Sequence, residues 1–158
     1  TISEKSKEDP AYYKKFSTRI EETIEEYRNR RITDSEYLQK MQDIKEDFRK
    51  GNSGISYPTN ITTENSRAFY GVIYDKLIPR MKENANIEEI GEIALTIQRE
   101  IESKIKRDWH YNTDIHNEIA QAIDDTIFIY ATRKNISLDL EELDKLIEEI
   151  INIALMKY

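Results

Sequence analysis

Residues 86–105 read Asn86-Ile87-Glu88-Glu89-Ile90-Gly91-Glu92-Ile93-Ala94-Leu95-Thr96-Ile97-Gln98-Arg99-Glu100-Ile101-Glu102-Ser103-Lys104-Ile105. Ile87, Ile90, Ile93, Ile97, Ile101 and Ile105 recur three or four positions apart, which puts them on one face of an α-helix. Asn86 stands at the N-cap with Glu89 three positions on, and the helix is predicted to run to about Asp108. Isoleucine also suits strands. A half-buried strand needs strict alternation, however, and the chain has neither such a run nor an Asn-Gly or Asp-Gly hairpin turn. The stretch predicts an all-α fold.

The same periodicity extends in both directions. Upstream, Asp9 followed by Pro10 is a cap with proline in the first turn, and Tyr13, Phe16, Ile20, Ile24 and Tyr27 form the stripe of a first helix reaching about Arg30. Thr33 and Glu36 open a second, striped by Tyr37, Met41, Ile44 and Phe48 and stopped by Gly51. Residues 51–62 (GNSGISYPTNIT) are the one long irregular connection and the predicted hinge. A third helix from about Thr63 buries Phe69, Val72, Ile73, Leu77 and Met81, with a kink expected at Pro79. After Trp109 to Asn112, a fifth helix starts at Thr113 or Asp114, buries Ile115, Ile119, Ile123, Ile127 and Tyr130, and closes at Arg133 and Lys134. A sixth, from Asp139 with Glu142 at capping-box spacing, buries Leu143, Leu146, Ile147, Ile150, Ile151 and Ala154. That last stripe is wide enough to imply a central helix or one covered by a partner. The expectation is a single, antiparallel, bundle-like domain of about six helices. A linker (1–8) precedes a hairpin (9–50), the connection (51–62) and a four-helix portion (63–158).

Composition limits the function classes. A chain of 158 residues is long enough for one domain with a real core. The start (TISEKSKEDP) lacks the basic and apolar regions of a signal peptide, no apolar run approaches a membrane span, and there is no cysteine, so a cytoplasmic setting without membrane contact is expected. The formal charge is -7, and acid is concentrated in residues 109–158, which disfavours that part as a duplex-binding surface. Arg28, Arg30 and Arg31, and Lys104, Lys106 and Arg107, are the basic clusters. They are the candidates for weak DNA contact, although cations at helix C-termini also compensate the helix dipole.

No phosphate-cradling Gly-x-x-x-x-Gly-Lys-Ser/Thr loop is present, so no ATP hydrolysis and no cofactor are expected of this chain by itself. Short acidic strings such as Asp43-Ile44-Lys45 fall within predicted helix, which argues against a metal-dependent nuclease centre. His110 and His116 match neither His-Glu-x-x-His nor finger spacing, so no metal site is expected. Trp109, the single tryptophan, packs in the turn with Asp114 as N-cap, or else anchors an interface if it is exposed. Trp109, His110, Asn112 and Asp114 are accordingly the candidate partner interface.

The Trp109-His110-x-Asn112-x-Asp114 segment and the isoleucine helix after it resemble the C-terminal region of the R (restriction and translocation) subunit of type I restriction-modification enzymes. Asp9-Pro10-Ala11-Tyr12-Tyr13-Lys14-Lys15-Phe16-Ser17, Arg31-Ile32 through Glu36-Tyr37-Leu38, and Ala68-Phe69-Tyr70-Gly71-Val72 are similar to the same part of that family, with type IC the most similar branch. In that family the R subunit joins a nuclease domain, two motor domains and a helical region, and assembles with M and S subunits. The resemblance implies that this chain is the terminal helical domain of an ATP-dependent type I site-specific deoxyribonuclease. Its partners would then be the M and S subunits of the methyltransferase and the rest of the R subunit, with ATP and Mg used elsewhere in the parent complex and DNA met through that complex. Docking the translocase onto the methyltransferase is the implied task, and contact with DNA on its way to the motor is the alternative. No catalytic residue of the family maps onto these positions.

Overall fold

The computed structural model describes residues 5–51, 53–81 and 85–158. Half of the linker expected over residues 1–8 thus lies outside the described residues. Among the described residues six α-helices are defined in order: α1 (Pro10–Arg28), α2 (Asp34–Lys50), α3 (Glu64–Leu77), α4 (Ile87–Lys104), α5 (Thr113–Lys134) and α6 (Leu140–Lys157). Among the described residues there is no strand, and the fold is all-α.

Local chemistry sets most of the boundaries. The Asp9 carboxylate accepts from Tyr12 N–H at 3.1 Å with Pro10 as the first helical residue, and Thr33 Oγ1 accepts from Glu36 N–H at 3.2 Å. Thr63 and Ser66 exchange side-chain and backbone bonds in a full capping box, and Asp139 accepts from Glu142 N–H at 2.7 Å. At the other ends, Gly51 (φ 76) and Asn135 (φ 54) take the left-handed conformation that stops α2 and α5.

Two boundaries and one cap differ from the sequence reading. Pro79 does not kink a continuing helix: α3 stops at Leu77, and Ile78–Arg80 form a 3₁₀ turn that accommodates a residue without an N–H. Helix α4 ends at Lys104, four residues early, because the chain reverses at Asp108 (φ 62) to carry Trp109 inward. At its start, Asn86 accepts from Glu88 N–H at 3.0 Å, and no reciprocal bond from Glu89 completes a capping box.

Helix α3 packs on α4, α4 on α5, α5 on α6, and α6 back on α3, closing a four-helix bundle. Arg80, just past the end of α3, pairs with Glu142 at the start of α6, while Lys134 at the end of α5 reaches Glu89 at the start of α4 (2.9 Å). The neighbours α3 and α6, and α4 and α5, therefore run antiparallel. The bundle core holds Phe69, Ile73, Leu77, Ile90, Ile97, Ile101, Trp109, Ile119, Ile123, Ile127, Leu146 and Ile150, all essentially removed from water. Ile153 is also fully buried, although the α6 stripe read from sequence passed over it.

The α1–α2 hairpin is attached through α1, which packs on α3. Closeness there depends on Gly71, where a Cβ would come within 2.7 Å of Ala11 Cβ. Inside the hairpin, Phe16 and Phe48 meet edge-to-face at 5.1 Å, Arg19 pairs with Asp47 at 2.9 Å, and Lys40 pairs with Glu26 at 2.6 Å.

Residues 51–62 were expected to act as a hinge, yet Ser53, Pro58 and Ile61 are buried. The loop is seated on α4: a Cβ on Gly91 would lie 2.9 Å from Pro58 Cγ and collide with Asn60 Oδ1. Neither neighbour is the free end of a long side chain, so Gly91→Ala should cost about 1–3 kcal/mol by overpacking, despite the better helix propensity of alanine. Urea unfolding measures this directly, and an unchanged or higher midpoint would show that the loop yields freely.

Burial raises the pKa of the Asp9 carboxyl above its ordinary 3.8, and the capping bond and Lys157 only partly offset it. The folded state therefore holds this proton to higher pH than the unfolded chain. The contribution of Asp9 is most favourable below 3.8 and declines as pH rises through its folded pKa. Asp9→Asn keeps the cap and removes the titration. Its stability should fall less than that of the parent chain on going from mildly acidic to neutral pH, as followed by thermal unfolding across that range.

Candidate functional site

The residues singled out around Trp109 lie at the junction of α4 and α5. Asp108 in the left-handed region turns the chain, Trp109–Tyr111 form one 3₁₀ turn, and Asn112 opens α5. The N-cap is Asn112 and not Asp114: its Oδ1 accepts from Asp114 N–H at 3.1 Å and Ile115 N–H at 3.3 Å. Asp114 instead lies exposed in the first turn, where a carboxylate complements the helix dipole.

Trp109 is 2% exposed and belongs to the bundle core, so it is not available as an interface anchor. Its ring meets that of His110 at 4.9 Å and that of His116, edge-on, at 5.5 Å, and its carbonyl oxygen lies 3.0 Å from His116 Nε2. The histidines thus pack against the junction. Among the described residues no group of three or more His, Cys, Asp or Glu is placed to hold a metal ion. The neighbour that sequence reading missed is Tyr111, 94% exposed on the same turn.

The basic candidates separate into two places. Arg28, Arg30 and Arg31 are exposed at the end of α1, whereas Lys106 and Arg107 are exposed beyond the end of α4. Lys104 is paired within its own helix to Glu100 at 2.7 Å. Each triplet is local, and α1 and α4 belong to different parts of the structure, hairpin and bundle.

Two other surface features stand out. A cleft of about 260 Å³ near the start of α1 is lined by Lys5, Glu8, Asp9, Tyr12, Tyr13, Gly51, Tyr57, Glu64, Arg67 and Lys157, a balanced mixture of charges in which the Arg67 guanidinium stacks over the Tyr57 ring at 5.0 Å. A groove of about 340 Å³ runs between α4 and α5, walled by Glu89, Glu92, Thr96, Thr126, Ile129 and Arg133 over a floor of Ile93 and Tyr130. Beneath it, burial and the Glu89 carboxylate hold the Tyr130 phenol up to about 12, so it remains a hydrogen-bond donor to Glu89.

The large exposed apolar side chains of the bundle are Tyr111, Phe128 (65%), Ile129, Leu140 (80%) and Met156. Phe128 and Leu140 fall outside the stripes that define the core, and so went unremarked in the sequence. A side chain that is apolar, large and off the stripe was the signal that could have found them.

No membrane-crossing helix is present among the described residues. No curated protein sequence and no solved structure matches the chain. A family model does match, over residues 1–154: "Type I restriction enzyme HindI endonuclease subunit-like, C-terminal". With nearly the whole length covered, the chain belongs to the family of C-terminal parts of HindI-like type I restriction enzyme endonuclease subunits.

Proposed function

We propose that this chain is the assembly domain of the R subunit, docking the ATP-dependent translocase and endonuclease onto the methyltransferase core of M and S subunits, and that it has no catalytic centre of its own. The observation that carries the reading is a bundle with a well-buried core that still exposes Phe128, Leu140 and Tyr111. On this reading these side chains supply apolar contacts to the partner. The ATP and magnesium of the parent enzyme belong on this reading to its motor domains. The chain's own task is to hold that motor beside the DNA-reading subunits.

Capture of the methyltransferase core by the immobilised 158-residue chain tests the proposal. Stoichiometric retention is expected, and no retention at micromolar concentration would refute it. The exposed triplets Arg28, Arg30 and Arg31, and Lys106 and Arg107 beside Lys104, favour a second reading in which the domain contacts duplex DNA. The excess of acid weighs against it. Duplex titration should show weak binding that collapses with added salt. Sub-micromolar binding persisting at physiological salt would favour the DNA-contacting role.

A further inference from the structure

The α5–α6 hairpin has one flank whose chemistry specifies a partner. In α5, Thr126, Ile129 and Arg133 face the groove shared with α4. Phe128 lies on the opposite side of the buried Ile123–Ile127 line, and at 3.6 residues per turn Asp124 lies one turn before it. In α6, Glu142 reaches Arg80 beyond α3 and fixes the flank directed at that helix. Across the buried Leu146–Ile150 line, the flank towards α5 carries Leu140, Ile147 and Ile151, with Asp144 and Glu148 beside them.

Phe128 is 65% and Leu140 80% exposed, while Ile147 and Ile151 are partly buried, packed against the edge of the core. The α6 stripe is wide because Leu146, Ile150 and Ile153 fill the core while Leu143, Ile147 and Ile151 pack along its edge, and Leu140 stands exposed beyond them. Asp124, Asp144 and Glu148 form no ion pair in the described structure, while the cations of the two helices are directed elsewhere. Lys134 pairs with Glu89, Lys145 pairs with Glu141, Arg133 lines the α4 groove, and Lys157 lines the cleft near the start of α1.

We propose that this acid-rimmed apolar seam binds a basic amphipathic helix of the partner, with apolar side chains at positions i, i+3 or i+4, and i+7 laid against Phe128, Leu140, Ile147 and Ile151, and flanking Lys or Arg set against Asp124, Asp144 and Glu148. The inference rests on the assembly reading above and deepens it by naming the surface and the chemistry of what it takes. Apolar contact supplies affinity, whereas the one-signed rim selects a cationic helix over an acidic one and speeds its encounter.

A direct probe is a labelled 18-residue helical peptide with leucines at that spacing and lysines on the flanks, beside its counterpart with glutamates. The lysine peptide should bind the chain, with affinity that falls as salt rises, and the glutamate peptide should not. Phe128→Asp with Leu140→Asp should weaken binding roughly tenfold or more. Both side chains are exposed, so the unfolding midpoint should hold steady and separate lost docking from lost fold. Charge reversal by Asp124→Lys, Asp144→Lys and Glu148→Lys should exchange the peptide preference. No binding by the lysine peptide, or equal binding by the Asp variant, would overturn the seam. The same Asp variant in the capture of the methyltransferase core distinguishes the two proposals. Retention of parent and variant alike refutes the seam alone, and retention of neither refutes the assembly role.

Discussion

Trp109→Ala should lower the stability of the fold by about 3–5 kcal/mol. The indole fills the corner of the core where α4 gives way to α5, and only 2% of it is exposed. Removing it leaves a cavity bounded by helices whose ends are tied by Asn112 and by the reversal at Asp108, so the site has little freedom to collapse. For a chain of this size the melting temperature should drop by on the order of 10 °C. The buried Nε1 has no hydrogen-bond partner among the described residues. Trp109→Phe consequently surrenders volume and not a bond, and should cost clearly less than the alanine. A midpoint unchanged in Trp109→Ala would mean that the ring is not a core element.

Phe16→Ala should be comparably severe, at roughly 3–5 kcal/mol, but its effect should be confined to one part of the chain. Phe16 is completely buried and meets Phe48 of α2 edge-to-face, with Tyr12 packed on it at 5.1 Å. The hairpin adheres to the bundle through α1 on α3, whereas α3 to α6 close on one another without it. Amide exchange should therefore accelerate through α1 and α2 while the centres of α4 and α5 stay protected. Uniform loss of protection would show that hairpin and bundle fold as one cooperative unit.

Helix positions were legible because the signals are local. Asp9, Thr33 and Asp139 cap where the sequence placed them, a helix begins next to Thr63 as expected, and Gly51 stops α2. The isoleucine stripe of α4 and that of α5 pointed to the core, and nearly every residue on them is buried. What was not legible depends on tertiary geometry. Asn112 and Asp114 are both competent caps two positions apart, and only the path of the chain through Trp109 decides between them. Residues 51–62 have the composition of a hinge, and their seat against Gly91 exists only once α4 is present. The candidate site was read least well. Trp109 attracted attention by rarity, which the core and an interface share, while Phe128 and Leu140 became visible only through their exposure.

The assembly role is tested most directly by the affinity of the parent R subunit for its methyltransferase core, measured with and without the residues equivalent to 9–158. Removing a self-contained helical unit should leave the motor domains folded. At least about a hundredfold loss of affinity is expected, a difference of about 2.7 kcal/mol, and with it the loss of DNA-stimulated ATP hydrolysis in the complex. An R subunit lacking those residues that joins the core with unchanged affinity would contradict the assembly role.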